Sequence, residues 1–331
     1  MPPQGDPTWF TEIASQDVED IATEGGGWSG RILQVSAGLL GYRSRRLALG
    51  GIEIRRHRCD QALFAQWYNH LGAISIAWGD ADGPVAAYGG RPLGPDVLYF
   101  QHAGREHDLR TPGSFRCWEI DVSATVRADR GWALTPATLT TLTPARRRAL
   151  DDLCERAFGA VVAREHGEMV RHALRDSVLD EVERVLPELL RAGNKPTLVA
   201  DKRRDLVREA LDIMERASSE DDLVRVPSVA QQLGISERAL YLAFQEQLGA
   251  GPYAVHQLGQ LHRFREALAA TDGRRGAITR AASRTGQYDA SRLARQYRRQ
   301  FGESPRQTLV RWSGRMPRRF GEFHSAREQV S

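Results

Sequence analysis

Three kinds of apolar spacing succeed one another along the chain. From Arg31 to Val122, short apolar runs are broken by Gly, Pro and Asp, and alternation is clearest in Ile52-Glu53-Ile54 and Cys117-Trp118-Glu119-Ile120. A period of two places successive side chains on opposite faces of a strand. The spacing predicts strands at Ile32–Val35, Gly41–Leu49, Ile52–Arg56, Ala62–Gln66, Ile74–Trp78, Val97–Gln101 and Phe115–Val122. With turn signals between them, densest in Gly89–Asp96, they suggest a β-sandwich or barrel. The preceding residues 1–28 are polar and glycine-rich and read as a loose arm with a short helix near Phe10 to Ile21. From Pro144 the period lengthens. Leu150, Leu153, Cys154, Ala157, Phe158 and Val161 form one helical stripe, and Val170, Leu174, Val178, Val182 and Val185 a second, on a helix from about Glu168 to Leu190. Pro144 suits a helix start, where its missing N–H has no partner to lose. Gly193-Asn194-Lys195-Pro196-Thr197 reads as a stop and a linker, followed by a helix from about Val199 to Ala217.

The third spacing occurs twice. PSVAQQLGISERALYLAFQEQLGAGP is followed by AITRAASRTGQYDASRLARQYRRQFGESP. Each unit has an Ala four residues before a Gly, Ala230 before Gly234 and Ala282 before Gly286. Each then has an apolar pair at i, i+4, Leu240 with Phe244 and Leu293 with Tyr297, and each closes on an apolar residue, Gly, two variable residues and Pro. A helix, a tight turn and a second helix need this chemistry: a small residue where the helices cross, a glycine for the left-handed turn, and an apolar stripe to bury. One such unit is a common helical hairpin; two with shared punctuation point to tandem helix-turn-helix units that bind DNA. Ser228 with Gln231 is expected to form a capping box on the first helix, and Ser236 and Asp289 to cap the two second helices. A long helix from Pro252 to Ala269, with Val255, Leu258, Leu261, Phe264 and Leu268 inward, joins the units.

Charge bears on the same reading. The formal net charge of +4 is uninformative, but its distribution is not. From Asp201 onward there are 23 basic against 16 acidic residues, and between Arg274 and Arg319 there are 13 arginines against two acids. Arginines interleaved with Tyr288, Tyr297 and Trp312 suit phosphate and base-edge contact. With Leu240 and Phe244 inward, Arg238, Tyr241 and Leu242 lie near the outer face of the first recognition helix. With Leu293 and Tyr297 inward, Ser291, Arg292 and Arg295 face out on the second, and Arg298 and Arg299 lie nearer the DNA backbone.

These residues resemble the AraC/XylS family of transcription regulators over about 100 residues, from near Leu206 to Trp312. The second unit carries the stronger signature, ending in FG-x-x-P, and FGESPRQTL is similar to the subgroup that includes ethanolamine-type regulators. The chain departs from the family at Gln287-Tyr288, Leu293 and Tyr297, where Phe is usual, and at Gln260-Leu261, where Arg-Leu is usual. The resemblance implies base contacts by Arg238, Tyr241 and Leu242. It also implies a cupin-like N-terminal barrel that senses a small molecule or a protein, and a homodimer through the paired helices that follow it.

The resulting fold class is α+β. A β-rich, cupin-like sensor domain spans 1–143, a helical connector or dimerisation segment 144–192, and a linker 193–197. An all-α domain with two helix-turn-helix units spans 198–314, ahead of a basic tail at 315–331. Trp67, Tyr68, Trp78, Tyr99 and Trp118 with Arg55, His57 or Arg105 are candidates to line an effector pocket, although strand aromatics also build plain core. His57, His102 and His107 lack the His-x-His spacing of metal cupins, so neither metal nor cofactor is expected. No nucleophile elbow, phosphate-cradling loop or dinucleotide fingerprint occurs, which argues against an enzyme. Three scattered cysteines, Cys59, Cys117 and Cys154, read as free thiols of a reducing compartment. No apolar run has the length of a membrane span and the N-terminus is not a secretory signal, so a cytoplasmic, nucleoid-associated protein is expected. Its expected partners are promoter or operator DNA, a small-molecule effector, RNA polymerase and a second copy of itself. Two rivals are a cupin-like metal enzyme fused to a DNA-binding domain, and a regulator whose N-domain binds a protein and no small molecule.

Overall fold

The computed structural model describes residues 9–312 except 25–27, 70–71, 103, 105, 133–138, 163–166, 192–197, 220–224, 272–273 and 287–288. The expected linker, the basic tail, Arg105, Gln287 and Tyr288 lie outside the described residues. The first half is built from β1 (Phe10–Ser15), α1 (Val18–Glu24), β2 (Trp28–Gln34), β3 (Tyr42–Ala48), β4 (Ile52–Cys59), β5 (Leu63–Asn69) and β6 (Ile74–Gly79). It continues with β7 (Ala87–Tyr88), β8 (Arg91–Pro92), β9 (Val97–Gln101), β10 (Glu106–Thr111), β11 (Phe115–Val122), α2 (Ala124–Asp129) and β12 (Leu139–Thr141). Two antiparallel sheets result, in the orders β1-β3-β4-β11-β6-β9-β12 and β2-β5-β10-β7-β8. The expected strands are present, several running longer. The arm differs: Phe10–Ser15 is a strand, paired along its whole length with β3, and only the residues after it are helical. Edge pairing satisfies that backbone, which local composition does not reveal. The dense turn cluster contains the short strand β8, hydrogen-bonded to β7.

Alternation along these strands has a consequence for function. Ile52 and Ile54 on β4, Ile74, Ile76 and Trp78 on β6, and Trp118, Ile120 and Val122 on β11 share one core cluster. That cluster is completed by Leu150, Leu153, Cys154, Ala157 and Phe158 of α3 (Pro144–Val162) and Val178, Leu179, Val182, Val185 and Leu186 of α4 (Glu168–Arg191). The helical pair therefore covers the outer face of the larger sheet, and the valine stripe of α4 is used within the chain. A dimer through this segment has to use the opposite helix faces.

The all-α half comprises α5 (Leu198–Ser219), α6 (Val226–Gln232), α7 (Glu237–Leu248), α8 (Pro252–Ala269), α9 (Ala277–Arg284), α10 (Ala290–Phe301) and α11 (Pro305–Trp312). Leu240, Phe244, Val255 and Leu258 pack with α5 residues and with Leu33 and Phe64 of the smaller sheet. Leu261, Phe264, Leu268, Leu293, Tyr297 and Phe301 form the core of the second unit. Burying a Leu or Phe side chain fully contributes about 1.5–3 kcal/mol, so each i, i+4 pair anchors its helix.

The two halves are docked. Gly38 N–H donates to the Gln300 carbonyl (2.9 Å), and Gln300 Nε2 donates to the Gln34 carbonyl (2.7 Å). Gln34 N–H donates to His262 Nε2 (3.1 Å). A cluster around Arg265, itself 2% exposed, joins the first segment to the second unit. Its guanidinium reaches Asp17 (2.6 Å), Glu19 (3.2 Å), Glu303 (3.1 Å) and the Tyr297 hydroxyl (2.9 Å). Arg311 bridges Asp17 and Glu303, and Trp312 Nε1 donates to Asp17 (2.9 Å). Burial works against the charge on Asp17. The hydrogen bonds from Arg311 and Trp312, with the charges of Arg265 and Arg311, hold its carboxyl below the usual range.

Candidate nucleic-acid interface

Each unit builds its second helix from local signals. Gly234 and Gly286 adopt the left-handed conformation at the turn (φ 66° and 65°), which glycine enters without a Cβ clash. Ser236 then accepts a hydrogen bond from Ala239 N–H (3.2 Å) and Asp289 from Arg292 N–H (2.8 Å), capping α7 and α10 as their sequences imply. The capping box at Ser228 does not form. Helix α6 starts at Val226 with Pro227 in its first turn and Arg225 at the cap without a side-chain bond, so Ser228 lies inside the helix. Proline fixes the backbone angle the first turn needs and thereby sets the start earlier.

With Leu240, Ala243, Phe244 and Leu248 buried, α7 presents Arg238, Tyr241 and Leu242 to solvent, the last two 51% and 46% exposed. With Leu293, Tyr297 and Phe301 buried, α10 presents Ser291, Arg292, Arg295, Arg298 and Arg299. Among the described residues, the side chains of these five arginines form no ion pair or hydrogen bond, so their planar forks are free for phosphate or guanine. Tyr241 is less free. Gln245 Nε2 donates to its hydroxyl (3.1 Å), and its ring lies over Gly251, where a Cβ would come within 2.7 Å of it. The tyrosine is preset at the surface, a constraint that the sequence shows only as a Gly ten residues away. The C-terminal ends of both helices meet the β-rich half: Gln247 lies against Gly90, and Gly302 against Leu39.

The candidate effector residues lie on strands of the β-rich half. Strand phase sends Glu53, Arg55 and His57 of β4, Glu119 and Asp121 of β11, Ser75 of β6, and Tyr99 and Gln101 of β9 to the face opposite the helices. Arg55 is paired with Glu53 (2.7 Å), Asp121 (3.0 Å) and, more distantly, Glu119 (3.8 Å). His57 lies between the Tyr42 hydroxyl and Glu119, at 2.9 Å from each. Gln101 accepts from Trp67 Nε1 and donates to Glu119, both at 3.1 Å. Burial, then the charge of Glu119, pushes Asp121 up to about 7 against the pull of Arg55. Burial also opposes ionisation of Glu119, but its bonds to His57 and Gln101 and the neighbouring cations keep its carboxyl low. The structure thus brings together Arg55, His57, Trp67 and Tyr99. Trp78 and Trp118 are on the other face, in the core under the helices, with Trp78 Nε1 donating to Asp151 of α3 (2.9 Å). Glu119, Asp121 and Gln101 were not among the sequence candidates, although alternation along β11 places Glu119 and Asp121 on one face. His107 bonds the Tyr88 hydroxyl and the His102 carbonyl. No group of three metal-ligating side chains occurs among the described residues. The three cysteines are free and buried, and no described helix is long and apolar enough to cross a membrane.

Residues 229–311 match the family model described as a helix-turn-helix domain. Over 104 residues the chain is 31% identical to the probable thc operon regulatory protein of Rhodococcus erythropolis, covering 31% of each. Over 83 residues it is 36% identical to the regulatory protein HrpB of Ralstonia nicotianae, covering 25% of this chain and 17% of that one. The chain therefore spans less than a third of the length of these curated relatives. A transcriptional regulator of known structure from Chromobacterium violaceum, with an AraC-type DNA-binding domain, is 23% identical. It covers 33% of this chain and 92% of its own, with a TM-score of 0.30.

Proposed function

We propose that the whole chain is a sequence-specific transcription regulator controlled through its β-rich half, a reading that starts from the helix-turn-helix domain at residues 229–311. The observation that carries this reading is the pair of capped, exposed recognition helices. Each buries one apolar stripe and turns its polar side to solvent. Arg238, Tyr241 and Leu242 read bases from the first helix. Ser291, Arg292 and Arg295 read from the second, while Arg298 and Arg299 hold phosphates. Two helices joined by α8 read two successive major-groove segments. Selection of duplexes from fragmented genomic DNA by the full chain tests this directly: one enriched site supports it, and no enrichment over an acidic control protein contradicts it.

The effector is a small polar molecule held between the sheets by Arg55, His57, Trp67 and Tyr99. The support is a charged, hydrogen-bonded interior where a purely structural sandwich would be apolar. An effector group that replaces one partner of Arg55 redistributes the surrounding bonds, and the docked contacts at Gln34, Leu39 and Arg265 carry the change to the helix-turn-helix units. A homodimer brings two such domains to repeated half-sites, and RNA polymerase is the partner on which a promoter-bound regulator acts. A panel of metabolites screened by thermal shift tests the effector, because a ligand that binds only the folded state raises the midpoint. The stabilising compound should lose its effect in Arg55→Gln.

A further inference from the structure

One charged surface is used by neither site. On β3, β4 and β11, which are neighbours, the register sets Arg43 opposite Arg58 and Arg58 opposite Arg116. The next row on the same face, nearer the helices, sets Arg45 opposite Arg56, and Arg56 opposite Trp118. All of these side chains leave the outer face of the sheet, and those of Arg43, Arg58 and Arg116 are exposed. The inner row has structural work. Arg45 lies over the Phe158 ring (4.8 Å), and Arg56 lies over Trp118 (4.6 Å) and pairs with Asp80 (2.7 Å). The outer row has little. Arg43 approaches Glu12 at 3.5 Å in an exposed pair of the kind that contributes little. The side chains of Arg58 and Arg116 are exposed and form no ion pair or hydrogen bond among the described residues. Like charges directly opposite on adjacent strands are destabilising, and a solvated sheet face does not require them. The row therefore costs stability without a return inside the fold.

Its position supplies the return. Arg43 follows Leu39 by four residues, at most ~14 Å of extended chain, and the Leu39 backbone lies against Gly302 at the end of α10. The exposed Arg298 and Arg299 are in the last turn of that helix. The arginine row and the basic surface of the second unit are thus linked through one docked loop. Three strands at about 4.8 Å spacing spread the row over ~10 Å, a reach of about three phosphates of one DNA strand. We propose that Arg43, Arg58 and Arg116 grip phosphates of the duplex flanking the segment read by the second unit, so that the sensor half itself binds DNA. This rests on the reading of the chain as a DNA-binding regulator. The same strands carry Arg55, His57 and Glu119 on their other face, which places the interior one strand thickness from the DNA.

The test uses the full chain and a selected site, presented in a duplex of about two helical turns and in one of about four turns with the site centred. Affinity is measured across salt for the wild type, for R43Q/R58Q/R116Q and for R43K/R58K/R116K. On the long duplex the glutamine variant should lose about 2.7 from the slope of log affinity against log salt, near 0.9 per phosphate contact. The short duplex should show no change, and the lysine variant should keep the wild-type slope. Thermal unfolding of the glutamine variant at or above the wild-type midpoint separates this loss from misfolding. Equal slopes for wild type and glutamine variant on the long duplex overturn the proposal. So does a variant that binds DNA normally and loses only retention of RNA polymerase, which would assign the row to an acidic protein. A wild type that binds neither duplex removes the underlying reading instead.

Discussion

Replacing Arg265 with Met keeps most of the side-chain volume and removes a cation that pairs with Asp17, Glu19 and Glu303 together. Arg311 still holds Asp17 and Glu303, but Glu19 is left buried without its partner. Breaking a buried ion pair by removing one member costs about 3–5 kcal/mol, because the remaining charge stays desolvated. The compensation from Arg311 places the expected loss at about 3 kcal/mol. At roughly 2–4 °C per kcal/mol for a unit of 150–250 residues, the midpoint should fall by about 6–12 °C. The loss should depend on pH. Burial already pushes the Glu19 carboxyl up, with Arg265 opposing, and without Arg265 it rises further. A folded-state value above the unfolded one means that the folded protein gains stability as pH falls through it. The deficit of Arg265→Met should therefore be full near pH 8 and smaller near pH 5.5, and Glu19→Gln in the same background should recover part of it at pH 8. Urea unfolding at both pH values measures this. A deficit under about 1 kcal/mol at pH 8, or one of equal size at both values, would refute the argument that a desolvated charge cluster holds the halves together.

Three further outcomes follow from the same structure. Ser236→Ala and Asp289→Ala each remove a cap and should cost about 1 kcal/mol in chemical unfolding, where an exposed serine such as Ser291 changed to alanine should cost well under that. Arg238→Ala should relax preference at one base position at a cost of roughly 1–3 kcal/mol, whereas Arg298→Ala and Arg299→Ala should each lower the salt slope by about 0.9 with sequence preference intact; selections on randomised sites at two salt concentrations distinguish the two. Burial, and then the charge of Arg265, holds His262 neutral down to about 3, so its contribution is complete above the ordinary histidine value and lost as pH falls below it; His262→Gln should unfold with a flatter pH dependence between 6.5 and 3.

Legibility in the sequence followed the range of each interaction. The helix-turn-helix units are written in contacts of four residues or fewer: a glycine at the turn, a cap three residues from its acceptor, an apolar pair one turn apart. Those features are present at Gly234, Ser236, Leu240 and Phe244, and again at Gly286, Asp289, Leu293 and Tyr297. Strand alternation was equally local, but its phase does not say which face the helices cover. Spacing alone therefore groups Trp78 and Trp118 with Tyr99, although they lie on the opposite side of the sheet. Phe10–Ser15 reads as helix in isolation and becomes a strand because β3 offers it an edge. Strand β10, with Glu, His, Asp and Arg in six residues, lacks the apolar run that marks a strand and is held by pairing with β5 and β7. The Arg265 cluster unites side chains as far apart as Asp17 and Arg311, and no spacing rule connects them. The same holds for the arginine row, which exists only once β3, β4 and β11 are in register.

The proposed function stands on the reading of DNA sequence through α7 and α10. Its most direct test is the affinity of the full chain for its selected duplex and for a scrambled duplex of equal length and composition, at one fixed salt near physiological strength. A preference of at least about a thousandfold for the selected duplex is expected. That preference should fall in Arg238→Ala and Arg295→Ala while binding to the scrambled duplex holds. Equal affinity for both duplexes, or a preference that survives both substitutions unchanged, would contradict it.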